Sequence, residues 1–337
     1  MTGGCAAACT LALLGIAVAS CPGSAAGLAG EDAVLVLESK VPLGNVRGRI
    51  DHLAVDLGRR RLFVAELENG SVGVIDLAAG KLLRRITGLK QPQGVGYVPS
   101  IDALYVANGG DGSLRIFAGD DYTSWGRIDL GDDADNVRVD LATNTVLVGY
   151  GAGALATIDP MTRKKIGDIP LAAHPEGFQI SAATNQIFVN LPESRSIVTI
   201  DRASGQQRAS WPTHNAAGNF PMALDEANQR VIVAFRNPAR LDVFAMTSGE
   251  KVAERDICGD SDDLFMDAKR KRVYVTCGDG SIDVFDAAGT SYQRLVRIPT
   301  VPGARTSLFI PAMDRLALAV RATAAEPAAI WLYRAQP

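Results

Sequence analysis

A repeat constrains this chain more than any other feature. A short apolar run recurs seven times: His52-Leu-Ala-Val-Asp56, Val95-Gly-Tyr-Val-Pro99, Val137-Arg-Val-Asp140, Phe178-Gln-Ile-Ser181, Met222-Ala-Leu-Asp225, Leu264-Phe-Met-Asp267 and Leu308-Phe-Ile-Pro311. Successive copies end 41 to 44 residues apart. A second run keeps the same step, from Leu62-Phe-Val-Ala65 through Leu104-Tyr-Val-Ala107 to Leu316-Ala-Leu-Ala319. A third closes on aspartate, as in Val72-Gly-Val-Ile-Asp76, Leu155-Ala-Thr-Ile-Asp159 and Ile282-Asp-Val-Phe-Asp286. Between the second and third runs stand Asn69-Gly70, Asp111-Gly112 and Asp279-Gly280, dipeptides that suit tight hairpin turns. A fourth, weaker run closes most copies, as Lys81-Leu-Leu-Arg-Arg-Ile86 does. Each copy therefore reads as four antiparallel strands.

Such a unit exposes apolar surface on both faces and is stable only when neighbours cover it. A period of about 40–45 residues with four strands is that of a propeller blade. The expected fold is all-β, a seven-bladed β-propeller over residues 32–337. The seventh copy stops at its third run, Ala329-Ile-Trp-Leu-Tyr333, while the run Val34-Leu-Val-Leu37 precedes the first copy without a hairpin partner. That N-terminal run is expected to complete the last blade as its outer strand, which removes an open sheet edge.

Units such as Leu104-Tyr-Val-Ala-Asn108 and Arg272-Val-Tyr-Val-Thr-Cys277 resemble the YVTN-repeat β-propellers, a bacterial and archaeal family of exported or surface proteins, and the resemblance spans essentially the whole repeat region. WD40 and kelch repeats fit less well, because Gly-His…Trp-Asp pairs and double-glycine blades do not occur. The resemblance implies export and a fold. It implies no particular activity, since propellers host binding, lactone hydrolysis and redox docking alike.

Residues 1–30 hold no charged side chain, and residues 6–19 form an apolar run too short to span a bilayer but of signal-peptide size. Val18-Ala19-Ser20-Cys21 resembles a bacterial lipobox, which makes Cys21 a lipidation candidate; ordinary cleavage near Ala25-Ala26 is the alternative. The expected organisation is a signal peptide at 1–20, a flexible linker at 21–31 and the propeller at 32–337. The mature protein is expected in the periplasm or as a membrane-anchored lipoprotein of a bacterium, attached to membrane only through Cys21. Cys258 and Cys277 are the two cysteines of the folded body, one just before an innermost strand and the other ending its antiparallel neighbour. They are expected to pair as a disulfide in an oxidising compartment; the alternative is two free thiols serving as soft metal ligands near His52.

Lys and Arg number 34 against 37 Asp and Glu, and no aromatic-basic stripe occurs, so nucleic acid is not an expected partner. Basic turns at 59–61, 163–165 and 269–272 read as solvated turns, with anionic lipid as the sharper alternative.

The loops that enter the innermost strands converge on one mouth of the channel in such a fold. They carry Arg49, Asp51, His52, Gln93, Asp133, Asp135, Asn136, His174, Glu176, Asn219, Asp260, Asp262, Asp263 and Arg305. Arg49, Asp51, His52, Gln93, Asn136, His174, Glu176, Asn219, Asp262, Asp263 and Arg305 are the expected ligand-binding set. Asp133, Asp135, Glu176, Asp260 and Asp262 offer hard oxygen ligands for Ca²⁺ or Mg²⁺, and His52 and His174 would shift the preference toward a transition metal. The bland reading of the same residues is that they cap turns. The leading functional expectation is a monomeric, non-catalytic binding or interaction module for a small polar ligand, an ion or a protein partner, with no evident organic cofactor. The second is a lactonase-like hydrolase using His174 and Glu176, with Arg305 holding an oxyanion. The third is docking to a periplasmic redox protein.

Overall fold

The computed structural model describes residues 1–4 and 33–337. The chain divides into two units, Met1–Ala33 and Val34–Pro337. In the first, residues 1–4 are exposed and carry no regular structure; the rest of the leader, Cys21 and the whole linker lie outside the described residues. No helix among the described residues is long and apolar enough to cross a membrane.

The second unit is seven four-stranded antiparallel sheets. Blade 1 runs through Leu53–Asp56, Arg61–Glu66, Ser71–Asp76 and Lys81–Thr87, and the next five repeat this order at 92–129, 137–170, 178–212, 217–256 and 261–299. The seventh holds Ser307–Ile310, Arg315–Val320 and Ala328–Ala335 and takes Leu35–Gly44 as its fourth strand, paired antiparallel with the third. The closing strand is longer than Val34-Leu-Val-Leu37 alone: past a bulge at Leu37/Ser39 it continues because Val41 and Leu43 are buried against the blade.

The core is not one mass but seven apolar seams, each filled by two adjacent blades. Seven sheets in an open row would share only six seams. The seventh joins Leu43, Leu53 and Leu62 to Ile310, Ala317 and Ile330, so blade 7 closes on blade 1. Between third and fourth strands a register shift recurs in the first six blades, which increases the twist that each sheet needs to fan from the axis.

The aspartates of the repeat are spent on turns. Asp56 Oδ1 accepts the backbone N–H of Gly58 (2.9 Å) and Arg59 (3.2 Å), and Asp267 does the same for Lys269 (3.1 Å) and Arg270 (3.2 Å). Where proline ends the run, a 3₁₀ turn replaces this device, at Pro99–Ile101 and Pro311–Met313. Two of the basic turns are stitched to the next blade: Arg59 pairs with Asp56 of its own blade and with Asp102 and Asp120 of the next, and Arg270 with Asp267 of its own blade and Asp314 of the next. Those guanidiniums are engaged within the ring and are not a free cationic face.

Candidate functional site

At the end of the channel where the innermost strands begin, a cavity of about 190 Å³ is lined by residues from all seven blades. Blade 1 contributes Arg49, Asp51 and His52; blade 2 Gln93; blade 3 Asp133, Asp135, Asn136 and Arg138; blade 4 His174, Glu176 and Gln179; blade 5 Phe220 and Arg236; blade 6 Asp262 and Asp263; blade 7 Arg305. Close approach of backbones builds it. A Cβ on Gly94 would stand 2.0 Å from the Asp135 carbonyl oxygen, so only glycine lets blade 2 seat against the segment that presents Asp135. Gly177 N–H donates to Phe220 O across the boundary between blades 4 and 5 (3.0 Å), and Thr306 Oγ1–H donates to Ile50 O (3.1 Å) where the ring closes.

Two halves differ in chemistry. On one side, Asp135, His174 and Glu176 present ligand atoms that lie within 4.8 Å of one another. His174 Nδ1 donates to Gly151 O (2.6 Å), and its Nε2 lies 4.0 Å from Asp135 Oδ2. Asp135 Oδ1 in turn faces His52 Nε2 at 4.0 Å, and His52 Nδ1 stands 3.8 Å from Asp263 Oδ1. On the other side, acids and guanidiniums satisfy each other. Arg305 Nη1 donates to both Asp260 oxygens (2.8 and 2.7 Å) and its Nε lies 3.1 Å from Asp262. Arg236 pairs with Asp262 and with Asp260 (3.2 Å) while its guanidinium rests 3.9 Å over the Phe220 ring.

Burial and charge set the proton affinities. Burial pushes Glu176 up to about 8, with the nearby Asp135 charge adding to it. Burial likewise raises Asp263 to about 7 and Asp51 to about 6. Burial alone would pull His174 down, but Asp135, the Gly151 carbonyl, Glu176 and Asp133 outweigh it and raise the ring to about 9. His52 follows the same balance, held above the ordinary imidazole range by Asp51, Asp263 and Asp135 against burial. Asp135 goes the other way: burial opposes ionisation, yet the two imidazoles bring it below the usual carboxylate range. Two buried acceptors that line the cavity make no hydrogen bond, Asn136 Oδ1 and Asp51 Oδ2; the latter is instead ion-paired with Arg49 Nη2 at 2.8 Å.

The ring thus gathers Arg49, Asp51, His52, Gln93, Asp133, Asp135, Asn136, His174, Glu176, Asp262, Asp263 and Arg305 at one opening. Asp133 stands half-exposed at the rim and accepts from Gln93 Nε2 (3.1 Å). Asn219 is placed elsewhere. A register shift between Asn219 and Met222 turns it into the blade, where it is fully buried and donates to Asn190 Oδ1 (3.3 Å) and Ser196 O (3.0 Å), while Phe220 faces the cavity. The oxygen set proposed for Ca²⁺ or Mg²⁺ is divided: Asp260 and Asp262 are paired with Arg236 and Arg305, whereas Asp135 and Glu176 stand with His174. Cys258 and Cys277 are buried and joined as a disulfide, with Cα atoms 5.8 Å apart, so neither offers a thiolate.

Nine lining residues lie outside the loop-based reading, among them Arg138, Gln179, Phe220 and Arg236. Arg138 and Gln179 had a usable signal: each is the lone polar residue inside an otherwise apolar innermost strand, Val137-Arg-Val and Phe178-Gln-Ile. Strand alternation leaves such a residue only the channel to face. Phe220 had none, since the bulge between Asn219 and Met222 decides its direction; Arg236, on the second strand of that blade, lies outside the entering loops on which the reading was built.

No known family profile matches the chain, and no curated protein is similar to it. Among solved structures, Kuenenia stuttgartiensis hydrazine synthase superposes with a TM-score of 0.73 at 17% identity, covering 84% of this chain and 98% of that one. A chain from the mitotic checkpoint complex gives a TM-score of 0.74 at 14% identity, covering 88% of this chain and 91% of that one. At such identities the likeness is one of fold. The chain is a seven-bladed β-propeller, a fold compatible with an interaction module.

Proposed function

We propose that this protein is an exported binding module that takes a small polar ligand or ion in the channel mouth, and that it acts without catalysing a reaction. The observation that carries this reading is the buried side-chain oxygen of Asn136, which has no hydrogen-bond partner, in a cavity to which every blade contributes. Buried acceptors without partners are costly, and a ligand donor or cation there would relieve that cost. Export is supported by the uncharged apolar leader and by the disulfide. The hydrolytic alternative has less behind it. Arg305 is committed to Asp260 and Asp262 rather than free to hold an oxyanion, and Glu176, raised to about 8, is mostly protonated at neutral pH and a poor base.

The test is thermal stabilisation by a panel of small polar compounds (hydroxy acids, amino acids, sugars, sugar phosphates), with wild type compared against Gln93→Trp, which fills the mouth from its rim. A ligand present at about 100 times its Kd raises stability by about 2.7 kcal/mol. Stabilisation of wild type and its loss in Gln93→Trp is the expected result. Equal stabilisation of both proteins, or of neither, would sink the reading.

A further inference from the structure

We propose that Asp135, His174 and Glu176 form a binding site for one first-row transition dication of the Zn²⁺ type. This rests on the channel mouth being a ligand site and names the class of ion it takes.

The three residues come from two adjacent blades, and their ligand atoms all lie within 4.8 Å of one another. Ligand atoms bound tetrahedrally to Zn²⁺ at about 2.0–2.2 Å stand about 3.3–3.6 Å apart, so the set closes on the ion by side-chain movements of about an ångström. The imidazole is already oriented. A carbonyl oxygen can only accept, so the 2.6 Å contact with Gly151 O places a proton on His174 Nδ1. In the neutral ring this leaves the Nε2 lone pair directed toward Asp135, 4.0 Å away. An outer hydrogen bond from the second ring nitrogen is the usual way a ligating histidine is fixed. Asp135 is itself backed by His52 behind its other oxygen.

A second observation points independently to a ligand. Asn136, next in sequence to Asp135 and lining the same cavity, is 2% exposed, and its side-chain oxygen has no hydrogen-bond partner. Donor chemistry selects the class of ion. One nitrogen with two carboxylates suits Zn²⁺ and its neighbours better than Ca²⁺ or Mg²⁺, which prefer oxygen alone. Soft ions such as Cu⁺ would want thiolates, and Cys258 and Cys277 are bonded to each other. Three protein ligands beside an open cavity leave room for water or a donor atom from the polar ligand in a fourth position.

Calorimetric titration of the full chain with Zn²⁺ tests this, after alkylation of Cys5, Cys9 and Cys21 so that leader thiols cannot bind the metal. One equivalent per chain is expected. His174→Ala and the near-isosteric Glu176→Gln should each weaken binding by on the order of 100-fold while leaving the far-ultraviolet circular dichroism unchanged. His214→Ala, an imidazole outside the mouth, should bind Zn²⁺ like wild type, and Ca²⁺ at equal concentration should give no saturable heat. Unchanged Zn²⁺ affinity in both site variants, or tighter Ca²⁺ than Zn²⁺ binding, overturns the assignment. If the polar panel still stabilises EDTA-treated protein while Zn²⁺ fails to bind, the metal site is refuted and the mouth reading stands; if neither binds, both fall.

Discussion

The seam between blades 7 and 1 is where the ring can be opened on purpose. Leu43, from the strand that precedes the first repeat, is fully buried there among Leu53, Leu62, Ile310 and Ile330. Leu43→Ala removes buried methyl groups and leaves a cavity, a change that costs about 2–5 kcal/mol. For a folded unit of about 300 residues, the unfolding entropy of about 2.1 cal/mol/K per residue converts this to a fall in Tm of about 3–8 °C. Leu83→Ala, on an outer strand and 43% exposed, supplies the comparison and should move Tm by less than about 1 °C. Deleting residues 33–43 goes further. It strips the hydrogen-bonded partner from Ala328–Ala335 and bares a long apolar edge that invites self-association. Thermal unfolding by circular dichroism and size-exclusion chromatography at micromolar concentration report the two effects. If Leu43→Ala melts like Leu83→Ala, and the truncated chain stays monomeric with the full-length Tm, the closure argument is wrong.

The remaining predictions concern the disulfide, the buried acids and Asn219. The Cys258–Cys277 bridge closes a loop of 19 residues, so replacing both cysteines by serine should cost about 3 kcal/mol, or about 5 °C in Tm, and dithiothreitol should then no longer affect melting. Asp263 holds its proton to about pH 7 when folded but to only about 3.8 when free. The unfolded chain therefore loses that proton first, and stability should fall as pH rises from about 4 to 7. Asp263→Asn should flatten this part of a Tm-against-pH curve; an unaltered curve would mean that burial does not control the group. Asn219→Ala should lower stability by about 1–3 kcal/mol, since it strands the Asn190 and Ser196 acceptors, yet leave Zn²⁺ affinity within twofold. A selective loss of metal binding would instead place Asn219 in the site.

Much of this protein was legible in one dimension, and the reason is its periodicity. Each blade is stabilised by its neighbours through the same few apolar positions, so those positions recur every 41 to 44 residues and announce both the unit and its number. The unpaired run before the first copy and the missing fourth strand of the last are complementary, and closure follows from counting. Even the opening at which loop residues meet could be derived, because strand direction alone decides which turns share a face. Direction within a strand was legible wherever plain alternation held, and Arg138 and Gln179 could have been read that way.

Other features waited on three dimensions. The bulge before Met222 exchanges the roles of Asn219 and Phe220, and no pattern of period two foretells a register shift. The division of the acids was likewise invisible. Asp262 resembles Asp135 in sequence terms, yet Asp262 is neutralised by Arg236 and Arg305, whereas Asp135 stands with His174 and Glu176. Which partner an acid finds depends on distances of a few ångströms between blades roughly 40 or more residues apart in the chain, and on burial, which together with neighbouring carboxylates raises Glu176 and Asp263 far above ordinary carboxyls. Repetition specifies the scaffold because every copy must solve the same packing problem; the mouth is where the copies differ, so only their assembly decides its chemistry.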